Sequence, residues 1–344
     1  MVDDAGVTFE LADPYRRLRS VRLVQELGLS EPLDFVRSIR SWSLRLEQPE
    51  VDRMEYLIEI EDHNAHRQTV PDPGNPLRAS GAFGDKSVIE FSGYRAPDWL
   101  TAPGVNEHVE PFAVDSTALD ATINGEAWWP DGLAATQAAP LLVVNDGTEF
   151  AQLGGFTRYL AAAVSAGLLP PVRALLLAPS DRNGWYAANP AYAEALCAEV
   201  LPTLPLATSM RIGVGVSLGG LAMLHAHRSH PGTFDGLLLQ SGSFFTPDLD
   251  PQESGFSGFA AVTGFVAEAS HPAPGECPVP AVFTCGVVEE NLANNRAMAA
   301  ALCRNGYRTE FVEVRDAHNF TAWRDALHPQ LTRLVTTLDG ARAA

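Results

Sequence analysis

From about Asp115 to the carboxyl end, short apolar runs alternate with stretches of helical periodicity, and that rhythm admits few folds. APLLVVNDG, VRALLLAPS, RIGVGVS, DGLLLQSGS, PAVFTCG and RTEFVEVRD read as strands. GGFTRYLAAAVSAG, PAYAEALCAEVLPTL, LGGLAMLHAHRSH and NNRAMAAALCRNG read as the helices between them. Strands that are apolar on both faces need cover on both, which a mostly parallel sheet flanked by helices supplies. Ligands of such sheets collect beyond the carboxyl ends of the strands, so chemistry is expected in the turns that follow them. Residues 244–276 form the longest connection, placed after a strand where a substrate-covering insertion is expected.

Before residue 115 the texture differs. A helix is predicted over YRRLRSVRLVQEL, with Leu18, Val21, Val24 and Leu27 on one side and Gly28 as its stop. Then SWSLRLEQ, MEYLIEIED and KSVIEFSGY alternate apolar and polar residues, separated by turn formers such as VPDPGNP. That pattern predicts a small antiparallel β-sandwich. Two domains are therefore expected: 1–114, a helical segment plus sandwich, and 115–344, an α/β sheet with helices on both faces.

Composition removes several function classes. With 344 residues, 46% hydrophobic and 19% charged, the chain can bury a large core and is not disordered as its main state. No apolar run approaches the ~20 residues of a membrane span, and MVDDAGVTFE lacks the basic head and apolar stretch of a secretory signal, so a cytoplasmic location is expected. Twenty-four basic against 42 acidic residues leave a charge of -18, which disfavours nucleic acid and anionic membrane as partners. Lys86 is the only lysine, and no glycine-rich phosphate loop with lysine occurs. Cys197, Cys277, Cys285 and Cys303 lack metal-ribbon spacing and read as reduced packing residues. His225 and His227, two apart, point to different helix faces, and no carboxylate completes a zinc set with them and His230, so no metal is expected. No cofactor is expected, and nothing in the sequence fixes the oligomeric state. Arg16, Arg17, Arg19 and Arg22 read as a solvated helix face that could also attract an anion.

The most informative stretch is Gly215-Val216-Ser217-Leu218-Gly219, which closes one apolar strand and opens a helix. A strand-to-helix turn this tight strains the serine backbone and requires small neighbours, lifting the hydroxyl to the sheet's rim. It also leaves the N–H of Leu218 at a helix start, where an oxyanion can be held. A bare GxSxG arises by chance in roughly one chain in ten of this length, so the strand–helix placement carries the reading. Serine at its ordinary acidity needs an imidazole oriented by a carboxylate. His318 stands just past the last strand, in Asp316-Ala317-His318-Asn319. The acid is expected after the preceding strand, where Glu289 is preferred to its neighbour Glu290; Asp316 is the weaker candidate. A second oxyanion donor is expected from VVNDGTEF, with Gly147 permitting close approach and the N–H of Thr148 donating; the alternative is a plain capping turn on Asp146. On the same rim, Arg182 could hold an anionic or catecholate oxygen or form a structural ion pair, with Trp185 and Tyr186 as an aromatic wall.

These segments resemble the enterochelin-esterase-like branch of the α/β-hydrolases, which also contains feruloyl esterases. In the second half the resemblance rests on VVNDGTEF, SDRNGWYAANPAYAEALCAEVLP, GVSLGG followed by SGSFF, GVVEEN and DAHNFTAWRDAL. In the first half, EYLIEIEDHNAHRQTVPDPGNP and FGDKSVIEFSGYRAPDWL resemble an early-set, immunoglobulin-like module. The likeness implies an α/β-hydrolase fold, Ser217 as nucleophile, His318 as base, Glu289 as acid and a polar substrate near Arg182, with the amino-terminal module closing one side of the cleft. It implies a serine esterase acting on a small-molecule ester, first a catecholate siderophore, free or iron-loaded. The alternatives are a feruloyl, acetyl-carbohydrate or small aromatic ester, an acyltransferase on the same fold, or a non-catalytic binding module. One departure stands out: relatives carry Glu three residues after the arginine, where this chain has Trp185, which removes the usual partner of Arg182 and leaves substrate identity open.

Overall fold

The computed structural model describes residues 2–3, 6–29 and 32–343, and the chain divides into two units. The first comprises residues up to Ala96 together with Gly286–Glu290 and Val314–Ala322. The second comprises Pro97–Cys285, Asn291–Glu313 and the segment from Trp323 onward.

Alternating residues build the first unit. One sheet runs in the order Val2–Asp3, Gly6–Ala12, Ser41–Glu47, Val36–Arg37. The other runs Leu18–Gln25, Arg53–Asp62, Lys86–Glu90, Arg78–Ala79, with Arg67–Val70 paired beside Arg53–Asp62. Val7, Phe9 and Leu11 from the first sheet and Val21, Leu23, Tyr56 and Ile58 from the second share one core. Phe9 meets Tyr56 edge-on with ring centres 4.9 Å apart. Each of these side chains contributes on the order of 1.5–3 kcal/mol on burial, so the antiparallel sandwich has a core of its own.

The expected helix over residues 15–27 is instead the strand Leu18–Gln25. Val21 and Leu23, two apart, are buried opposite Ile60 and Ile58, while Val24 is exposed. A spacing of Leu18, Val21 and Val24 fits a helix on paper, but cross-strand pairing over the sandwich core rewards the period of two. The arginine run accordingly lies on and before a strand, not on a helix, and Arg19 pairs with Glu61 at 3.0 Å.

The two later segments of this unit are sewn to the sandwich. Val287, Val288 and Ala317 pack on its core. The N–H of Asp52 donates to the carbonyl of Arg315 at 2.8 Å, and Arg315 Nε lies 2.9 Å from Asp52 Oδ1.

In the second unit eight strands form one sheet, ordered Glu107–Ser116, Ala121–Pro130, Arg173–Ala178, Ala139–Val144, Thr208–Val216, Gly236–Gln240, Pro280–Gly286 and Arg308–Val314. The first two pair antiparallel as a long hairpin that adds to Arg173–Ala178, also antiparallel. The central pairs, from Arg173–Ala178 to Pro280–Gly286, are parallel. Ala139–Val144 and Gly236–Gln240 are buried at every position, as strands covered on both faces must be. Helices Phe156–Ser165, Leu218–Ser229 and Leu292–Arg304 follow the strands as the periodicity predicts.

The 244–276 connection carries the helix Phe259–Ala269, whose Val262, Phe265, Val266 and Ala269 enter the hydrophobic core. This part of the insertion is built in. Cys285 is buried and Cys197 half-buried, but Cys277 and Cys303 are exposed, so only the first pair packs. Among the described residues no helix is long and apolar enough to cross a membrane.

Candidate active site

Strand Thr208–Val216 ends at Ser217, whose backbone sits at φ 53° and ψ -127°, and helix Leu218–Ser229 begins at once. For a residue with a side chain this conformation costs on the order of 1–3 kcal/mol and persists only where its surroundings impose it. The imposing contacts are visible. A Cβ on Gly215 would stand 2.3 Å from the carbonyl oxygen of Gly219, so the turn closes only around glycine. Ser217 N–H donates to Gln240 O at 2.9 Å, and Ser217 O accepts from the N–H groups of Gly220 (3.0 Å) and Ser243 (3.1 Å). The hydroxyl oxygens of Ser217 and Ser243 lie 3.3 Å apart. Leu218 is the first residue of the helix, and the leading N–H groups of a helix have no acceptor within it.

Strand Ala139–Val144 pairs in parallel beside Thr208–Val216, Val144 opposite Val214. The turns after both strands therefore open at the same carboxyl edge. Asn145, fully buried, joins them: its Nδ2 donates to Gly219 O at 2.8 Å, its Oδ1 accepts from Tyr192 Oη at 2.5 Å, and its N–H donates to Val214 O at 3.0 Å. Asp146 follows in the left-handed region at φ 53° and starts helix Gly147–Gly154. Thr148, half-buried, is the second residue of that helix, so its N–H also lacks an acceptor within the helix. A Cβ on Gly147 would fall 2.5 Å from Leu176 Cα, which identifies close approach to strand Arg173–Ala178 as the reason for glycine there.

Arg182 has a partner after all. Its Nε lies 3.0 and 2.9 Å from the two carboxylate oxygens of Asp146, and a terminal nitrogen stands 2.8 Å from Oδ2. The acid comes from the neighbouring turn and not from the position of Trp185, and the arginine is not left unpaired. Burial pushes the Asp146 carboxyl above the ordinary carboxylate range, against the pull of the Arg182 guanidinium. The same guanidinium lies 5.7 Å over the ring of Tyr186, whose hydroxyl accepts the N–H of Asp146 at 3.1 Å. Tyr186 is fully buried and Trp185 is 5% exposed, stacked near Tyr192. Tyr186 is thus the floor beneath Arg182, not part of an exposed aromatic wall, and Trp185 offers little surface.

In the first unit, His318 and Glu289 form a pair. His318 Nδ1 stands 2.7 Å from Glu289 Oε2, with the acid buried and the imidazole side chain 33% exposed. Glu289 Oε1 accepts the N–H of Gly286 at 2.7 Å. One carboxylate oxygen is held by backbone and the other by imidazole, so an ionised Glu289 places the proton on Nδ1 and leaves Nε2 as the basic nitrogen. Gly286 is required here too, since its Cβ would lie 2.3 Å from Asp316 O. Asp316 turns elsewhere: its Oδ1 accepts from Ala317 N–H (2.7 Å) and Asn319 Nδ2 (2.9 Å). Glu290 is exposed.

Three contributors escaped sequence reasoning: Asn145, Ser243 and Asp146 in its pairing role. A polar Asn ending a fully apolar strand was the available signal for the first. His225 and His227 are buried on helix Leu218–Ser229, and burial holds both imidazoles down at about 4. Among the described residues no group of three or more His, Cys, Asp or Glu is placed to hold a metal ion.

Residues 116–258 match the family model named Esterase. No curated protein sequence matches the chain. Among solved structures, the enterobactin esterase of Shigella flexneri, crystallised in the presence of enterobactin, superposes with a TM-score of 0.79 at 22% identity, covering 98% of this chain and 95% of that one. The ferric enterobactin esterase of Salmonella typhimurium gives a TM-score of 0.78 at 20% identity, covering 96% and 94%. A ferulic acid esterase gives 0.57 at 18% identity, covering 68% of this chain and 99% of its own. Residues 116–258 are thus similar to the family model named Esterase, and the chain shares an α/β fold with an amino-terminal sandwich along nearly its whole length with structures solved as enterobactin esterases.

Proposed function

We propose that the protein is a serine esterase that cleaves a small-molecule carboxylic ester through an acyl-enzyme, with Ser217 as nucleophile, His318 as base and Glu289 as the acid that orients it. The observation that carries the reading is the left-handed backbone of Ser217 between two glycines, a strained turn that the surrounding hydrogen bonds impose. In the reaction Ser217 Oγ bonds to the ester carbonyl carbon as its proton passes to His318 Nε2. The N–H groups of Leu218 and Thr148 hold the resulting oxyanion, and imidazolium returns the proton to the departing alkoxide. Water then attacks the acyl-enzyme with the same base, freeing the carboxylic acid and the serine.

The substrate class is a catecholate siderophore ester. Two considerations support it: the fold extends over nearly all of proteins crystallised as enterobactin esterases, sandwich included, and Arg182 presents a cation beside the candidate oxyanion turn. A feruloyl-type aromatic ester is the second reading, supported by the ferulic acid esterase that shares the sheet but covers only 68% of this chain. The test is a hydrolysis panel of enterobactin-like lactones, feruloyl sugars and p-nitrophenyl esters, run beside Ser217→Ala, with an added alcohol acceptor to detect acyl transfer. Preference for the lactone, lost in Ser217→Ala, is the expected result. Parental rates in Ser217→Ala end the proposal.

A further inference from the structure

The buried carboxylate two residues before His318 takes no part in the acid–imidazole pair, yet it is bound on every side. Asp316 Oδ1 accepts from Ala317 and Asn319, the two residues that flank His318. Asn319 in turn accepts the N–H of Ala322 at 2.9 Å through Oδ1. Asp316 Oδ2 faces the guanidinium of Arg53, 3.8 Å away. Arg53 lies in the sandwich strand Arg53–Asp62 with its side chain only 4% exposed, and it also meets Glu55 Oε1 at 2.9 Å. On the far side, Thr321 Oγ1 donates to the same Glu55 oxygen at 3.5 Å.

Three buried charges in one place are a poor route to stability, because desolvation cancels much of their attraction and apolar residues of similar volume do as well or better. What such a network does supply is a fixed geometry. His318 is the partly exposed residue between two neighbours clamped by Asp316, and Ala317 is anchored in the sandwich core. The Asp316 carbonyl also presses against Gly286, whose N–H holds Glu289 Oε1. The Asp316 carboxylate thus holds both neighbours of His318, its main-chain carbonyl packs on Gly286, the donor to Glu289, and the carboxylate in turn faces Arg53 of the amino-terminal sandwich.

We propose that Arg53 and Asp316 are positioning residues: through them the amino-terminal sandwich sets the orientation of His318 against Glu289. Neither touches a reacting atom. The inference rests on the reading of His318 as the base. It gives the sandwich a direct part in the rate, beyond solubility or substrate cover.

The test uses the full chain as parent, Arg53→Met, Arg53→Lys and Asp316→Asn, with p-nitrophenyl butyrate as substrate. A second readout is the proton resonance of the hydrogen-bonded His318 Nδ1–H, assigned by its loss in His318→Gln. The expected result for folded Arg53→Met and Asp316→Asn is a kcat at least tenfold below the parent's, KM within threefold, and an Nδ1 resonance moved or lost, with Arg53→Lys in between. A merely stabilising pair lowers the melting temperature and leaves kcat and the resonance of the folded protein alone, and that outcome overturns the inference. If Arg53→Met does not fold, Asp316→Asn and Arg53→Lys, which keep shape or charge, decide by the same thresholds. A parent without esterase activity, or Ser217→Ala with the parental rate, strikes the proposed function instead, and the Nδ1 resonance then decides the positioning role alone.

Discussion

Asn145 donates its side-chain amide to the carbonyl oxygen of Gly219 across 2.8 Å in the buried interior, tying the turn after one strand to the serine-bearing turn after its neighbour. The two candidate oxyanion donors, Leu218 and Thr148, sit on the helices that begin at these two turns. A single buried amide thus fixes the spacing on which stabilisation of a developing charge depends.

Asn145→Ala strands the Gly219 carbonyl and the Tyr192 hydroxyl without their partner, which costs on the order of 1–3 kcal/mol of stability. A loosened oxyanion pair costs kcat as well, expected at about 10²-fold with KM little changed. Urea unfolding and steady-state kinetics check both; a stable variant with parental kcat contradicts the role.

Glu289→Gln preserves shape and can still accept the Gly286 N–H, but it neither holds the Nδ1 tautomer nor stabilises an imidazolium. The expected loss in kcat lies between about 10² and 10⁴-fold, with the melting temperature barely moved. Glu290→Gln is the control, with kcat expected within twofold of the parent.

Arg182→Met leaves Asp146 ionisable, buried and unpaired, a change that costs roughly 3–5 kcal/mol when one partner of a buried pair is removed. Because Arg182 is also the proposed cation for a catecholate oxygen, KM for a catecholate ester is expected to rise more than KM for p-nitrophenyl acetate. Equal KM changes for the two substrates reduce the arginine to a structural partner of Asp146.

Asp316 makes a signed prediction about pH. Burial pushes its carboxyl from 3.8 up to about 6, against Arg53, Asn319 and Ala317, which hold it down. A folded-state value above the unfolded one means that this group favours folding fully below about pH 4, and that its contribution is lost as pH rises through 6. Relative to Asp316→Asn, the parent should therefore lose stability between pH 4 and pH 6.5, by roughly 3 kcal/mol at most. Paired denaturant titrations across that window check it; a parent–variant difference that is flat with pH rules it out.

The sheet was legible because strands buried on both faces show up as continuous apolar runs such as LLVV and LLL. The Ser217 elbow was legible because Gly215 is demanded by contacts of 2.3–2.7 Å that leave no room for a Cβ, and Gly219 stands where a Cβ would come within 3.1 Å of Asn145 and Asp146. Leu18–Gln25 was misread because Leu18, Val21 and Val24 also satisfy helical spacing, and only the partner strand selects between the periods. The hairpin Glu107–Ser116 and Ala121–Pro130 went unread: its outer strand is mostly exposed, and the half-buried Phe112 and Val114 are too short an apolar alternation to mark it. The Arg182–Asp146 pair was invisible for a different reason, since its partners are 36 positions apart and meet only once two strands are neighbours. Spacing along a chain reports local geometry, while ion pairs across a sheet's rim report topology.

The central claim is that Ser217 is an activated nucleophile, and a fluorophosphonate probe reads that directly. The expected result is one phosphonyl group per chain, located on Ser217 by peptide mass spectrometry, absent from Ser217→Ala and slowed at least a hundredfold in His318→Gln. A folded parent that takes up no label, or takes it up equally in Ser217→Ala, contradicts it.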